Sequence, residues 1–404
     1  MTRIRRAALA AVLTLVLPLP IIGAGTAFAA PGPSATAPSM APSAAPSAAS
    51  DRSGVQLELP RPTGPHAIGR STLHLVDQHR RDPWVPAAGA RELMVSTYYP
   101  ARPGTGGPAP YMTTEEARLL LQQAAQGGAV PAEALGGTRT FAHADARPER
   151  GRFPLLVLSP GLGLPRATLT GLAEDLASRG YVVALVDHTY ESTGVTFPDG
   201  RTRTCAVCDQ TPTLEALEAI ARSRATDLSF VVDQLTDRHS PWRYAGMIDP
   251  RRIGMAGHSI GGDAAAATMA VDDRVRAGVN MDGTFLAPVP AAGLQGRPFL
   301  MFGTLANHSP GGADTSWDRD WARLDGWKRW LTIAGSDHSS FTDLPVLAAQ
   351  LGVAGPAVPI PAQRAEEITR AYVGAFFDLH LRGIPQPLLD GPSPADPEVA
   401  FQHP

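Results

Sequence analysis

Two continuous apolar runs of strand length, separated by a helical segment, constrain the fold of this chain most strongly. The runs are FPLLVLSP, Phe153 to Pro160, and YVVALVDH, Tyr181 to His188; the segment between them repeats leucine at helical spacing and ends near Gly180. Strands that are apolar at every position are typical of a parallel sheet with both faces covered. A strand, a helix and a second strand in this order predict an α/β protein with a mostly parallel central sheet and helices on both faces.

The same alternation continues towards the C-terminus. A helix is predicted from about Leu214 to Leu235, followed by the strand RIGMAG, an alanine-rich helix and the strands VRAGVNM, RPFLMFG and RWLTIAG. Ala365 to Leu381 is predicted to close the fold as an amphipathic helix. Ligands of such sheets bind at the carboxyl ends of the strands, so residues that directly follow a strand are the candidates for function.

The stretch GMAGHSIGGDAAAA, Gly254 to Ala267, places Ser259 between Gly257 and Gly261 at the junction of a strand and a helix. A sharp strand-to-helix turn holds a serine at its apex when the residues two before and two after it have little or no side chain to clash. The spacing therefore predicts that Ser259 is a nucleophile on an α/β-hydrolase fold, with Gly257 and Gly261 as the glycines of the elbow.

A serine hydroxyl needs a base, and the base needs a carboxylate to orient it. His338 follows RWLTIAG and is the predicted base, while His308 also follows a strand and is the alternative. Asp282 directly follows VRAGVNM and is the predicted acid. Asp337 is a poorer candidate because neighbouring side chains on an extended loop point apart. Asp314, in a glycine-rich loop, is the third candidate.

The oxyanion of an acyl-transfer reaction is usually held by the N–H after the nucleophile and by a second N–H from an early strand-to-helix loop. Ile260 follows Ser259, and the loop SPGLGLPR after the first apolar strand offers Leu162 as the second donor. An ordinary glycine-proline turn is the alternative interpretation of this loop. The reaction needs no cofactor and no metal.

These motifs resemble the platelet-activating factor acetylhydrolase family, of the plasma and intracellular type II kind. The matching segments are LSPGLGLPR, GHSIGG, MDG, GSDHSSFTD and the early DPWVPAAGARELMVSTYYPA, within about Ile68 to Arg382. The resemblance implies an α/β-hydrolase that cleaves short or oxidised acyl esters with Ser259, Asp282 and His338. Pro160 stands where animal members carry histidine, which leaves the substrate open. Secreted lipases and polyester-degrading cutinases share the elbow and are alternatives.

The N-terminal segment predicts export. Three arginines precede an apolar run, and Ala27-Phe28-Ala29 matches a signal peptidase site, so residues 1–29 are expected to be a signal peptide cleaved near Ala29. Residues 30–53 are an Ala/Pro/Ser-rich linker expected to be disordered. We expect the catalytic domain over residues 54–387 and a C-terminal tail over residues 388–404.

Composition excludes some partners. The formal net charge of −3 argues against a nucleic-acid partner. The only cysteines, Cys205 and Cys208, favour a local disulfide in an exported chain over a metal or redox site. The expected partner is a small-molecule or lipid ester, with transient contact to a lipid surface as a further hypothesis.

Residues 111–137 contain a predicted helix with a capping box from Thr113 to Glu116 and an apolar cluster at Leu119 to Leu121. The segment fits either a lid over the site or a helix packed on the domain, and the packed helix is the preferred interpretation. A catalytically inactive secreted binding protein is the alternative outside enzymes; a substituted triad position would favour it, and none is seen.

Overall fold

The computed structural model describes residues 56–124, 130–208, 213–353 and 358–402. Within them, eleven strands form one sheet in the order β13-β12-β11-β10-β9-β5-β6-β2-β1-β4-β3, and β7 pairs with β8. The strands are β1 Ala67–Arg81, β2 Ala90–Ala101, β3 Gly107–Pro108, β4 Ala142–Ala144, β5 Phe153–Ser159, β6 Val182–His188, β7 Val195–Thr196, β8 Thr202–Arg203, β9 Ile248–His258, β10 Val275–Met281, β11 Phe299–Thr304, β12 Lys328–Ile333 and β13 Val399–Gln402.

Helices connect the parallel strands. They are α1 Thr114–Gln123, α2 Ala132–Gly136, α3 Thr170–Ser178, α4 Leu214–Thr236, α5 Ile260–Val271, α6 Ser316–Arg323, α7 Leu344–Gln350 and α8 Ala362–Arg382, with short 3₁₀ turns between some of them. The six strands from β6 through β5, β9, β10 and β11 to β12 all run parallel. This is the α/β-hydrolase architecture that the sequence predicted.

Both faces of the sheet are buried. Along β5, Leu156 and Leu158 pack into one core with helices α3 and α8, while Leu155 and Val157 pack into a second core with α4 and α5. Successive side chains of a strand point to opposite faces, so a strand with an apolar residue at every position fits only between two layers of helices. The sheet thus fixes the carboxyl ends of β5, β9, β10 and β12 at one edge.

The start of the domain adds strands that the apolar-run criterion did not identify. β1 and β2 form a long antiparallel pair, and β2 joins the parallel strands by pairing antiparallel with β6. The segment expected as a tail supplies β13, which pairs antiparallel with β12 at the edge of the sheet. Polar residues in β1 interrupt its apolar pattern, which explains why it was not recognised as a strand.

Helix α1 packs on the domain. Thr113 and Glu116 form the capping box, and Ala117, Leu120 and Leu121 pack into a small core with residues from other parts of the chain. None of the helices in the described ranges is long and apolar enough to cross a membrane. The expected signal peptide and linker lie outside the described residues.

Candidate active site

Ser259 occupies the apex of a tight turn between β9 and α5. Its φ of 57° and ψ of −132° lie outside the regions favoured by residues with a side chain, a geometry that costs about 1–3 kcal/mol. A Cβ on Gly257 would overlap the main chain of Gly261, and a Cβ on Gly261 would overlap the carbonyl of Ser159. Both elbow glycines are therefore required for the turn.

The two predicted oxyanion donors lie beside the elbow. Ile260 begins α5, where the first N–H groups have no partner inside the helix. Leu162 lies in the turn that Leu164 N closes by donating to Gly161 O at 3.2 Å. Among the described residues, neither the Leu162 N–H nor the Ile260 N–H donates to a protein acceptor. Both are available to an external oxygen.

His338 and Asp282 come together at the carboxyl ends of β12 and β10. His338 Nδ1 donates to Asp282 Oδ2 at 2.6 Å, and the side chain of His338 stays 23% exposed while that of Asp282 is buried. Asp282 has a φ of 57°, and Thr304 N donates to its second oxygen at 2.6 Å. Asp337 instead caps its own turn by accepting from Ser340 Oγ. The structure thus pairs the predicted base with the predicted acid.

His308, the alternative base, lies on the other side of the same carboxylate. Its Nε2 is 3.2 Å from Asp282 Oδ1, and its Nδ1 is 3.5 Å from Asp314 Oδ2. The imidazole is buried and stacks on Trp317. Both nitrogens of His308 face carboxylates, so neither is directed at a serine, whereas His338 keeps Nε2 free of Asp282. The sequence did not indicate that one carboxylate would contact two histidines.

The surroundings of Asp282 keep it ionised. Burial alone would raise its pKa, but the facing His308, the hydrogen bond from His338 and the Thr304 N–H outweigh burial, so the pKa of Asp282 lies well below its usual range. Stable ionisation matters because a neutral acid would not stabilise an imidazolium at His338.

His258, the residue before Ser259, lies against the imidazole of His338 at a tilted angle. Its ring centroid is 4.4 Å from that of His338, and its Nε2 donates to the His338 carbonyl at 2.8 Å. Burial and the proximity of His338 lower the pKa of His258 to about 3. His258 is therefore neutral near pH 7 and places no positive charge beside His338.

A buried ionic network lies behind the loop that carries Leu162, and the sequence prediction missed it. Arg91 contacts Asp82, Glu191 and Asp227, Arg224 contacts Glu191, and His188 bonds Asp227. The signal was present: Arg224 and Asp227 fall on the stripe of α4 that otherwise carries buried apolar residues such as Leu217 and Leu228.

His188, Glu191 and Asp227 also place one possible metal-ligand atom each within 4.8 Å of one another. Arg91 and Arg224 already neutralise the two carboxylates. A site that is compensated by guanidinium groups does not suit a divalent cation.

The two cysteines form a disulfide close to the loop that carries Leu162. Cys205 bonds Cys208, and a Cβ on Gly163 would lie 3.6 Å from Cys208 Sγ. Val207, between the cysteines, packs against the same small core cluster as Leu162, and Ile260 belongs to that cluster. We call this apolar cluster the acyl wall. Its buried members are Leu217, Ile220, Ala221, Ile260 and Ala287, and the partly buried side chains of Trp84, Leu162, Val207, Ala267 and Leu286 pack against them.

The sheet, the elbow and the histidine-aspartate pair at the strand ends define an α/β-hydrolase. The family model described as platelet-activating factor acetylhydrolase, isoform II, matches residues 53–203 and 208–355. The chain belongs to that family.

Individual relatives agree. A probable 1-alkyl-2-acetylglycerophosphocholine esterase of Arthroderma benhamiae is 32% identical over 85% of this chain and 93% of its own length. The platelet-activating factor acetylhydrolase of Cavia porcellus is 24% identical over 48% of this chain and 49% of its own. A solved ferulic acid esterase from Streptomyces cinnamoneus is 46% identical, with a TM-score of 0.76, covering 85% of this chain and 99% of that one. The protein is thus a carboxylester hydrolase, and its substrate is a small-molecule ester.

Proposed function

We propose that Ser259 is the nucleophile, His338 the general base and Asp282 the acid that orients it. The observation that carries the proposal is the 2.6 Å hydrogen bond from His338 Nδ1 to Asp282 Oδ2 at the strand ends beside the elbow. A base whose Nδ1–H is held by a carboxylate presents its Nε2 lone pair to a serine hydroxyl. The free N–H groups of Leu162 and Ile260 are the proposed oxyanion donors.

The reaction then proceeds in two halves. Ser259 Oγ attacks the ester carbonyl carbon as its proton moves to His338 Nε2, and the resulting oxyanion accepts hydrogen bonds from Leu162 N and Ile260 N. Collapse breaks the bond to the leaving oxygen, which takes the proton from His338. Water, deprotonated by His338, attacks the acyl-enzyme in the same way, and the carboxylic acid leaves with Ser259 restored.

The substrate we propose carries a short or oxidised acyl chain, either on the sn-2 position of a phospholipid or on a simple soluble ester. The acyl wall supports this, because this apolar cluster contains the side chains of Leu162 and Ile260, whose N–H groups are the proposed oxyanion donors, and that of Val207, which lies between the two bonded cysteines. An apolar surface with few polar groups suits an acyl chain.

A hydroxycinnamoyl ester is the second candidate substrate. The specific observation in its favour is the 46% identity to the ferulic acid esterase from Streptomyces cinnamoneus. Aromatic acyl groups also suit an apolar surface, and Trp84 lies at the edge of the acyl wall.

Hydrolysis rates on p-nitrophenyl esters of increasing acyl length test the proposal, together with methyl ferulate and a 1-alkyl-2-acetylglycerophosphocholine. Ser259→Ala should lose about 10⁶-fold in kcat. A rate that falls steeply beyond short chains supports the first substrate, and a preference for methyl ferulate supports the second. Maximal rates on long chains or on a polyester film would favour the lipase or cutinase. Activity retained by Ser259→Ala would refute the proposed mechanism.

We also propose that the protein is exported with residues 1–29 removed and residues 30–53 as a linker to one catalytic domain. The arginines and apolar run of the N-terminus and the Cys205–Cys208 disulfide support export. N-terminal sequencing of protein from the medium of an expressing bacterium tests the cleavage near Ala29. An intact N-terminus in secreted protein would contradict it.

For a phospholipid substrate, we propose transient contact with the lipid surface through Leu214. This side chain is 42% exposed at the start of α4, three residues before Leu217 of the acyl wall. We propose that α1 is a fixed part of the domain rather than a moving lid, because Leu120 and Leu121 are buried and Glu116 accepts from Thr196 N. Co-sedimentation with phosphatidylcholine vesicles, weakened by Leu214→Asp, would support the contact.

A further inference from the structure

The loop that carries Leu162 is fixed from behind by one pair of buried, oppositely charged side chains. Arg224 Nη1 donates to the carbonyl oxygen of Pro160 at 2.5 Å, and Arg224 Nε donates to the carboxylate of Glu191 at 2.6 Å. Glu191 in turn accepts the N–H of Gly163 on its main-chain oxygen at 2.8 Å. The pair thus contacts the loop on both sides of Leu162.

Each contact restrains one peptide plane. The Pro160 carbonyl belongs to the peptide that precedes Gly161, and the Gly163 N–H belongs to the peptide that follows Leu162. Gly163 O also accepts from Thr193 N at 3.2 Å, so the loop pairs with the segment after β6 like a short strand. With the peptides on both sides held, the peptide between Gly161 and Leu162 retains little freedom to rotate its N–H away.

Without these contacts, the peptide between Gly161 and Leu162 would rotate readily. Gly161 and Gly163 flank Leu162, and Gly163 adopts a φ of 78°, so the loop alone has the freedom to turn either face of its peptides inward. An oxyanion hole acts through donors that are already aimed before charge develops. A donor that must be reoriented during the reaction would lose much of its effect.

The Arg224–Glu191 pair is itself held firmly. The Arg224 side chain is 1% exposed and that of Glu191 is 0% exposed. The second oxygen of Glu191 accepts from Trp84 Nε1 at 2.7 Å and from Arg91 Nη2 at 3.1 Å. A planar guanidinium with several donors reaches a carbonyl and a carboxylate at the same time, which a lysine ammonium does less well.

We propose that Arg224 and Glu191 are positioning residues that hold the Leu162 N–H in the oxyanion hole. The inference rests on the proposed function, because it assumes that Leu162 is an oxyanion donor. Among the described residues, the hydrogen bonds of Arg224 go to Glu191, Pro160 and Ser159 and not to Ser259, so the pair acts through the loop. Its loss should weaken transition-state stabilisation and leave ground-state binding nearly intact.

The test compares Arg224→Met with Arg297→Met. Arg297 is a matched control, because it is also buried and also donates to main-chain carbonyls, those of Met269, Asp272, Val275 and Leu294, away from the oxyanion loop. For each variant, kcat and KM are measured on p-nitrophenyl acetate, Ki is measured for a short-chain trifluoromethyl ketone, which forms an oxyanion adduct with the serine, and Tm is recorded.

For Arg224→Met we expect kcat to fall about 10²-fold with KM changed less than about threefold, since a misplaced oxyanion donor costs this much. Ki should rise in proportion to the fall in kcat/KM. Arg297→Met should lower Tm while leaving kcat and Ki near the wild-type values. Arg224→Lys keeps a positive charge beside Glu191 and should show an intermediate loss of about tenfold. If Arg224→Met does not fold, Arg224→Lys is the variant that tests the proposal.

Unchanged kcat and Ki in the Arg224 variants would overturn the proposal, as would an equal fall in kcat in Arg297→Met, which would indicate a merely structural role. A Ser259→Ala enzyme measured in parallel distinguishes failure of the proposed function from failure of the positioning role. If Ser259→Ala stays active, the proposed function fails. If Ser259→Ala is inactive while the Arg224 variants are unaffected, only the positioning role fails.

Discussion

The imidazole of His308 lies flat on the indole of Trp317, with ring centroids 4.2 Å apart and an angle of 18° between the planes. This stacking fixes His308 on the buried side of Asp282, while His338 occupies the exposed side. One carboxylate therefore contacts two histidines that differ in access to the substrate, and mutation can distinguish their roles.

We predict that His338→Ala lowers kcat about 10⁶-fold, because the base is lost. His308→Phe should cost about 10- to 100-fold, the loss of one interaction with a charged group, since phenylalanine preserves the stacking on Trp317. Steady-state kinetics on p-nitrophenyl acetate measure both. Equal losses would show that His308 takes part in proton transfer, and a larger loss for His308→Phe would reverse the assignment of the base.

The described residues include a second serine–histidine–aspartate arrangement in addition to Ser259, His338 and Asp282. Ser159 Oγ lies 2.9 Å from His188 Nε2, and His188 Nδ1 lies 2.8 Å from Asp227 Oδ2, with all three side chains buried. Burial keeps an ester away from Ser159. We predict that Ser159→Ala keeps kcat within about tenfold of wild type and lowers the free energy of unfolding by about 1–3 kcal/mol, because the buried His188 Nε2 loses its hydrogen bond to Ser159 while Nδ1 keeps Asp227.

A fluorophosphonate probe followed by peptide mapping provides an independent check on the two serines. The label should appear on the peptide of Ser259 in the wild type and in Ser159→Ala, and it should be absent from Ser259→Ala. Label on the peptide that contains Ser159 would show that the second arrangement is reactive.

The pH dependence of the free energy of unfolding should include a contribution from His258. Burial and His338 lower its pKa in the folded protein to about 3 from an ordinary 6.5. Between these values the unfolded chain binds a proton at this residue and the folded chain does not, so the free energy of unfolding decreases as pH falls from about 6.5 towards 3. In His258→Gln, whose amide can still donate to the His338 carbonyl, this contribution should vanish.

Urea unfolding of wild type and His258→Gln between pH 4.5 and pH 7 measures the difference, since other groups contribute equally to both proteins. His380→Gln is a useful comparison, because burial and Arg329 lower the pKa of His380 to about 4, which gives the same sign over a narrower range. Parallel stability curves for wild type and His258→Gln would contradict the prediction.

Val207 should influence acyl-chain preference. Val207→Trp enlarges a side chain of the acyl wall, and we predict that it lowers kcat/KM on longer p-nitrophenyl esters about tenfold while the acetate changes little, in the range that steric discrimination in apolar pockets allows. The Cys205→Ser/Cys208→Ser double variant should broaden the chain-length profile, because Val207 is no longer fixed. An unchanged chain-length profile in both variants would show that Val207 does not contact the acyl chain of the substrate.

Much of the fold follows from the sequence because parallel strands buried on both faces are uniformly apolar. The bounds of β10 at Val275–Met281 agree with the prediction, and α4 and β6 differ from it by one residue at an end. The antiparallel strand β1 was missed because His74, Asp77 and other polar residues break its pattern. Short periodic runs carry a clear signal, whereas half-exposed strands carry little.

The candidate site was predictable to the extent that its residues directly follow strands. Ser259, Asp282 and His338 lie at the strand ends where the order of elements placed them. The partners behind them were not predictable, because the contacts of His308 with Asp282 and of Arg224 with Pro160 join segments far apart in sequence. Only the side-chain geometry of the folded chain specifies such contacts.

The crowding around the elbow has a consequence for how such an enzyme can change. Gly257, Gly261, Gly262 and Gly283 all lack room for even a methyl group against nearby atoms, whereas Val207 lies in the short segment between the disulfide-bonded Cys205 and Cys208. A library that randomises these glycines should yield almost no folded clones. A library that randomises Val207 and Leu286 should yield folded enzymes of varied selectivity. New substrates are therefore reached most readily by changing residues of the acyl wall while the elbow glycines stay unchanged.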